Sequence, residues 1–168
     1  MATAKTPRKK PAAHEPLPAT RVLRRFRLVF NAIKTHFRSV ERKAGISGAQ
    51  VWALSVVRER PGIGVGDLAR EMDVHQSTAS NLLRALTEAG LVVADRGAAD
   101  RRAVQLKITP AGMRVLKKVP GPFSGILPDA LQRMDAATLA RLERDLGKLI
   151  DELGVDGKGA SIPLGSGE

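Results

Sequence analysis

The sequence contains no cysteine, and this absence excludes several classes of protein. Without thiols the chain cannot form a disulfide scaffold, a thiolate zinc site, a cysteine nucleophile or a cysteine-based redox switch. It also lacks any apolar run near the roughly 18–20 residues that a membrane span needs. The N-terminus is basic, but no apolar stretch follows it, so it does not resemble a secretory signal. We therefore expect a cytoplasmic protein with no membrane partner.

Acidic residues are scarce relative to basic ones. The chain has 28 Lys and Arg against 17 Asp and Glu, a net charge of +11. Such an excess on 168 residues favours a polyanionic partner, with nucleic acid ahead of a membrane surface. No Ser-His-Asp order, glycine-rich phosphate loop or catalytic carboxylate pair stands out, so we expect neither an enzyme nor a cofactor. The spacing of His14, His36 and His75 does not suit a metal site.

Composition divides the chain into a folded middle and two tails. Residues 1–19 are basic and proline-rich, which predicts a disordered arm that either strengthens phosphate binding or serves only solubility. Residues 154–168 are rich in glycine and predict a disordered tail. Hydrophobic residues make up 43% of the chain, enough for a core, so we expect a single domain over residues 20–153.

The first helix is predicted at about residues 20–43, because apolar residues recur every three or four positions from Val22 to Val40. This seam contains Phe26 and Phe37, and little chain remains to cover it. We therefore expect it to pack against a second copy of the chain. A helix lying on a membrane surface is the alternative.

Local signals place the next helices and a hairpin. Ser47 with Gln50 three positions later fits a capping box, which starts a helix. A short helix over residues 65–72 follows, then a turn and a longer helix from Gln76 to about Ala89. Beyond it the apolar period changes to two, which predicts a two-stranded hairpin with a charged tip, ending at Ile108.

The C-terminal third is predicted to be helical with one interruption. Thr109 before Pro110 is a strong helix start. The pair Pro120 and Pro122 disturbs this helix, and we expect helix to resume from Phe123 and to tolerate or kink at Pro128. The last helix should begin near Asp135. It carries a second seam of leucines, Leu139, Leu142, Leu146, Leu149 and Leu153.

The order helix, short helix, turn, helix, hairpin predicts a mainly α protein with a small β-hairpin wing. This is a winged helix-turn-helix at about residues 46–109, flanked by helices over about 20–43 and 110–153. The second motif helix should read DNA, because Ala79, Leu82, Leu83 and Leu86 face inward and short or amide side chains face outward. Asn and Gln can bond adenine in two places, and Arg can do the same to guanine.

The candidate DNA-binding residues of this helix are His75, Gln76, Ser77, Thr78, Ser80, Asn81 and Arg84. The helix N-terminus offers free N–H groups to a phosphate, and the hydroxyl groups can donate to phosphates or bases. His75 precedes the helix, where it either contacts phosphate when protonated or caps the turn. The plain alternative is an ordinary amphipathic surface helix.

The predicted hairpin tip supplies a second set of candidate DNA contacts, Arg96, Arg101 and Arg102. Arginine suits the narrow and negative minor groove. Asp100 is expected to have a structural role, pairing with a neighbouring arginine and fixing the loop. We expect one arginine to pair with Asp100 and another to face DNA, although the sequence does not say which. A solvated run of charges is the alternative.

Together these segments resemble the MarR family (multiple antibiotic resistance regulators) of winged helix-turn-helix proteins. The most specific part is the Asp-Arg-Arg wing followed by a hydroxyl-capped helix. Three departures stand out: His75 where an acidic cap is common, Gly64 where threonine is common, and the Pro120 and Pro122 break. The matching segments are Ile46–Leu54, Val65–Ala69, Gln76–Leu86, Gly90–Val92, Asp100–Arg102 and Leu106–Gly112.

The resemblance implies a homodimer in which the first and the last two helices form the dimerisation region. Two reading helices would face a pseudo-palindromic operator in double-stranded DNA, with half-sites about one helical turn apart. It also implies control by a small ligand, often an aromatic or phenolic acid, in a cleft between the dimer region and the DNA lobe. By this analogy His36 or Trp52 would border the cleft. The plainer reading makes Trp52 a core residue and His36 a core or surface one.

The sequence therefore predicts a dimeric, sequence-specific transcriptional regulator, a repressor released by a small ligand such as an aromatic acid. One alternative is a non-specific architectural DNA-binding protein driven by the net charge. Another is a winged-helix module that binds an acidic protein.

Overall fold

The computed structural model describes residues 17–96 and 104–165, so most of the predicted basic arm lies outside it. The described residues fall into two units, 17–31 and 32–165, whose boundary lies inside the first helix. Seven α-helices, two strands and one 3-10 helix are described. They are α1 (Pro18–Ala44), α2 (Gly48–Glu59), α3 (Val65–Glu71), α4 (Gln76–Glu88), β1 (Val92–Arg96), β2 (Val104–Ile108), α5 (Pro110–Lys118), α6 (Ile126–Gln132), α7 (Ala136–Leu153) and the 3-10 helix Gly157–Ser161.

Helix α1 confirms the predicted amphipathic helix. The solvent exposure of its apolar side chains changes along its length. In the first unit the rings of Phe26 and Phe30 stack with centroids 6.2 Å apart. Phe30 remains 60% exposed, and Val22 and Val29 are also exposed. In the second unit Val40 is buried in the core. Along the described part of the predicted seam, Val40 is therefore buried, whereas Val22 and Val29 are exposed.

Helix α2 lies at the centre of the core. Val51, Leu54 and Val57 are completely buried and pack with residues of α3, α4, β1 and β2. The predicted capping box starts the helix: the Gln50 backbone N–H donates to Ser47 Oγ, and the Ser47 N–H donates to Gln50 Oε1. This reciprocal pair satisfies two N–H groups that an uncapped helix would leave without a partner.

The two strands form an antiparallel hairpin with Val92 opposite Ile108 and Ala94 opposite Leu106. The segment before α3 lies against the outer edge of β2. There the Gly62 N–H donates to the Leu106 carbonyl, and the Leu106 N–H donates to the Ile63 carbonyl. These bonds attach the wing to the helix-turn-helix and satisfy edge groups that would otherwise be open.

The start of α5 is held against the turn between α4 and β1. Thr109 caps the helix by accepting from the Gly112 N–H, and its hydroxyl lies 2.8 Å from the Gly90 carbonyl. A larger residue does not fit at position 112. A Cβ there would lie 2.4 Å from the Leu91 carbonyl oxygen and 3.1 Å from Leu54 Cδ1. The close approach of α5 to β1 therefore requires glycine.

We expect Gly112→Ala to destabilise the fold by about 1–3 kcal/mol, because the added methyl group overlaps a backbone oxygen that cannot move freely. Gly66→Ala in α3 is the matched control, since a Cβ at Gly66 meets nothing within 4 Å. Urea unfolding of both variants checks the expectation. Equal stability of the two variants would show that the contact at Gly112 is not tight.

One prediction for the C-terminal third is wrong. Helix does not resume at Phe123 but at Ile126, after Gly125 with φ +98°. Pro128 is then the third residue of α6, where its missing N–H costs no hydrogen bond and no kink is needed. In the glycine-rich tail, residues 157–161 form the 3-10 helix, and the Gly165 carbonyl accepts a hydrogen bond from the Ala49 N–H of α2 at 3.0 Å.

Candidate nucleic-acid interface and ligand cleft

Helix α4 presents one apolar and one polar face, as the sequence predicts. Ala79, Leu83 and Leu86 are buried and hold the helix on the core. The opposite face bears exposed side chains with no large apolar group among them. A surface of this kind can approach base edges closely, because no bulky residue holds the helix out of the groove. The exposed members are Gln76, Ser77, Ser80, Asn81 and Arg84, while Thr78 is half-buried.

Asn81 and Arg84, the two side chains best suited to read bases, are linked to each other. Arg84 Nη2 donates to Asn81 Oδ1 at 3.1 Å across one helical turn. The bond leaves the Asn81 amide nitrogen free to donate and restricts the motion of both side chains. The sequence predicts that the Ser80 hydroxyl can donate to DNA. In the structure this hydroxyl instead donates to the Gln76 carbonyl at 2.8 Å. Its oxygen therefore acts as an acceptor.

The N-terminus of α4 has no side-chain cap. His75 occupies the cap position, but its ring makes no capping hydrogen bond, so the interpretation of His75 as a turn cap is wrong. By contrast, the N-termini of α2, α5 and α7 are capped by the side chains of Ser47, Thr109 and Asp135. The first N–H groups of α4 are thus open to a phosphate oxygen, and no acidic residue lies in its first turn.

The predicted wing contacts lie largely beyond what the structure describes. Asp100, Arg101 and Arg102 are outside the described residues, and Arg96 is placed only as the backbone end of β1. Within the strands, Lys107 Nζ pairs with Asp95 Oδ2 at 3.0 Å. The expected pairing of Asp100 with an arginine therefore stays a prediction.

A cleft of about 290 Å³ lies between the helix-turn-helix and the segment around α6. Trp52 lines it, as the resemblance implied, and Phe123 supplies a second aromatic ring, with the Arg58 guanidinium 5.1 Å from its centroid. Ligand pockets of small molecules start near this volume. The other lining residues are Ser55, Val56, Glu59, Glu71, Ser124 and Gln132.

Two glutamates in the cleft were not predicted. Glu59 Oε1 binds Arg58 at 2.8 Å, and Glu71 Oε2 binds Arg60 at 2.6 Å, but neither arginine lines the cleft. The sequence holds no local signal for this site, because α2, α3 and the segment before α6 meet only in the folded chain. The cleft therefore presents aromatic rings together with carboxylates.

His36, the other residue that the resemblance assigned to an effector cleft, does not line this one. Its ring meets Phe37 edge-on with centroids 5.5 Å apart, and its buried Nε2 has no hydrogen-bond partner in the structure. Burial lowers the pKa of His36, and a contact with the Pro122 backbone offsets part of this shift. The ring is therefore mainly neutral at pH 7 and offers no positive charge to an acidic ligand.

The part of the chain that the structure describes shows no cluster of three or more His, Asp or Glu side chains placed to hold a metal ion. Within the same residues, no helix combines the length and apolar character that crossing a bilayer requires.

Comparison with known proteins shows the fold class and the family. The sequence model of the MarR family matches residues 44–103. A Thauera aromatica protein, named as a candidate transcriptional regulatory protein for the hcr operon, is 30% identical over 120 residues, covering 71% of this chain and 68% of that protein.

Solved structures show the same winged helix-turn-helix fold. A MepR-like protein crystallised with pseudoligands has a TM-score of 0.54 at 16% identity, covering 82% of this chain and 97% of that one. The E. coli MarR C80S mutant in complex with operator DNA has a TM-score of 0.51 at 20% identity, covering 80% and 99%. The predicted fold class is confirmed.

This winged helix-turn-helix is of the type found in transcriptional regulators. The chain belongs to the MarR family of such regulators. The curated relatives are named as regulators rather than enzymes, which confirms the prediction that the protein is not an enzyme.

Proposed function

We propose that the protein is a dimeric regulator that binds a pseudo-palindromic operator through α4 and represses transcription until a small ligand releases it. The observation that carries the proposal is the exposed face of α4, with Asn81 and Arg84 linked on a helix whose other face is buried. The E. coli MarR C80S mutant, which shares the fold, was crystallised in complex with operator DNA. Such a regulator would act on DNA in the cytoplasm.

Each part of the interface has a distinct role in this proposal. Asn81, Arg84 and Gln76 read base edges, while the hydroxyls of Ser77 and Thr78 and the α4 N–H groups hold phosphates. The Ser80 oxygen accepts a hydrogen bond from a base amino group, because its hydroxyl hydrogen is donated to Gln76. His75 stands at the same end of the helix and adds a phosphate contact when protonated. We assign Arg96, Arg101 and Arg102 of the wing to the minor groove or flanking phosphates, and Asp100 to fixing the wing loop.

The dimer is proposed from the surface of α7. This helix has 18 residues and no buried side chain, and Leu149 and Leu153 are 38% and 64% exposed. A helix of this length gains most of its stability from packing its apolar face, so it needs a partner. A second copy fits because the exposed seam of α1, with Val22 and Val29, requires a cover of the same kind.

The ligand site is proposed at the cleft beside Trp52 and Phe123. An occupant there contacts both α2, which supports α4, and the segment leading to α6. It can therefore change the spacing of the two reading helices in a dimer, on which operator affinity depends. The resemblance implies an aromatic acid, and the two rings suit the aromatic part. The carboxylates of Glu59 and Glu71 do not favour a ligand carboxylate, and His36 is mainly neutral.

We expect an aromatic amine to release DNA at lower concentration than an aromatic acid of the same size, because Glu59 and Glu71 attract a positive charge. Benzylamine and benzoate make a matched pair. The measurement is a footprint of the region upstream of the protein's own gene, repeated with each compound and with Trp52→Ala as control. Release by benzoate alone would contradict the assigned cleft, and release of the Trp52→Ala variant at unchanged concentration would do the same.

The net charge of +11 supports the alternative that this is a non-specific architectural DNA-binding protein. It predicts affinity that follows salt concentration alone, and no footprint at any defined sequence. The protein-interaction alternative predicts no duplex binding in a gel shift.

A further inference from the structure

The excess positive charge of the chain lies mainly outside the winged helix-turn-helix. Residues 48–108, from the start of α2 to the end of β2, hold eight basic and seven acidic residues, a net charge of +1. Helix α4 itself is neutral, because Arg84 is balanced by Glu88. Residues 1–47 hold 12 basic and two acidic residues, which gives +10 of the total of +11. The charge that favours a polyanionic partner therefore belongs to the N-terminal part of the chain.

Helix α1 carries most of this charge. It holds eight basic residues and one acidic residue, Glu41, so its net charge is +7. No acidic residue occurs from position 16 to position 40. In the first unit, residues 17–31, every basic residue is an arginine. Arginine binds phosphate oxygens in pairs through its planar guanidinium group, so this stretch suits a phosphate-rich partner.

Three of these arginines form an exposed surface without a counter-charge. Arg24, Arg25 and Arg27 are exposed, and none of them forms an ion pair within the part of the chain that the structure describes. At about 100° per residue, Arg24 lies opposite the apolar seam of Val22 and Phe26, with Arg25 and Arg27 on either side of it. Exposed cations of this kind can release the counterions of a polyanion when they contact it.

We propose that Arg24, Arg25 and Arg27 form a second DNA-binding surface, which contacts the phosphates of a duplex without reading its sequence. The winged helix-turn-helix supplies the base contacts of the proposed function. Its net charge of +1 gives it little of the counterion release that drives phosphate binding, and the surface on α1 supplies that part.

Duplex DNA fits this surface better than an anionic membrane does. A helix lying on a membrane inserts its apolar face into the lipid. The apolar seam of α1 is assigned by the proposed function to a second copy of the chain, which leaves the arginine face for the partner. At this step the inference rests on the proposed function.

The test measures the affinity of full-length protein for a random duplex over a series of salt concentrations, by fluorescence anisotropy. Each phosphate contact contributes about 0.9 to the slope of log affinity against log salt. The triple variant Arg24→Gln, Arg25→Gln, Arg27→Gln should therefore show a slope smaller by about 2–3 per bound chain. Lysine at the same three positions should keep the slope, because the number of charges is unchanged. The preference for operator over random duplex should stay the same in both variants.

The matched control removes three charges from the exposed face of α7 opposite its leucines, by Arg141→Gln, Arg144→Gln and Lys148→Gln. Asp145 lies 3.9 Å from Arg144 and 3.6 Å from Lys148, and the net charge of α7 is −1, so the control should keep the slope.

A slope that is unchanged in the Arg24, Arg25 and Arg27 glutamine variant, or lowered equally in the α7 control, overturns the proposal. So does weaker binding of the glutamine variant to phosphatidylcholine–phosphatidylserine vesicles with an unchanged DNA slope, which would identify a membrane surface. A chain that shows the expected slopes but prefers no operator would contradict the proposed function and support the second surface.

Discussion

Alanine at Asn81 is expected to weaken operator binding by about 5- to 150-fold per half-site, which corresponds to losing one bidentate base contact of about 1–3 kcal/mol. Arg84→Ala should have an effect of the same size. Affinity for random duplex should change far less, because phosphate contacts do not depend on base identity. Fluorescence anisotropy with operator and shuffled duplexes at one salt concentration measures both quantities.

The hydrogen bond between Arg84 and Asn81 adds a sharper expectation. Because each side chain positions the other, the double variant should lose less than the sum of the two single losses. Arg114→Ala, which removes one exposed charge from α5, is the matched control and should leave the operator preference intact. Purely additive losses would show that the two side chains act separately, and losses equal on both duplexes would remove α4 as the reading helix.

Glutamate at Leu146 and Leu149 is expected to separate the dimer and to lower operator affinity by about 100-fold or more. The charges would lie in the proposed seam of α7, and a monomer loses the advantage of binding two linked half-sites. Ala140→Glu is the matched control, because Ala140 is exposed on the face of α7 away from the leucines. Light scattering gives the oligomeric state, and anisotropy gives the affinity.

If the Leu146→Glu, Leu149→Glu chain remains dimeric and binds the operator normally, the subunit contact lies elsewhere. If it is monomeric but keeps full affinity, two reading helices are not needed. Circular dichroism of both variants separates these outcomes from unfolding.

Sequence reasoning succeeded where the signal was local. The capping box at Ser47 and Gln50, and the cap at Thr109, need only residues three positions apart, and the structure shows the bonds of both. The period of α4 likewise identified its buried and exposed faces. In each case hydrogen bonding or periodicity within one helix decides the structure.

Sequence reasoning failed where distant segments decide the structure. The sequence predicts that helix resumes at Phe123, yet this residue stays outside α6 and its ring lies under Arg58 of α2. No local signal in the sequence places Gly165 beside Phe37, where a Cβ on Gly165 would lie 2.5 Å from Phe37 Cε1. Glu59 and Glu71 share a cleft only after α2 and α3 have packed together.

The most direct test of the account is a titration of full-length protein with an operator found by footprinting and with a shuffled duplex of equal length, at physiological salt. We predict two chains bound per operator and a preference for it of about 1,000-fold or more. Equal affinity for the two duplexes would contradict a sequence-specific regulator and leave a protein that binds DNA through charge alone.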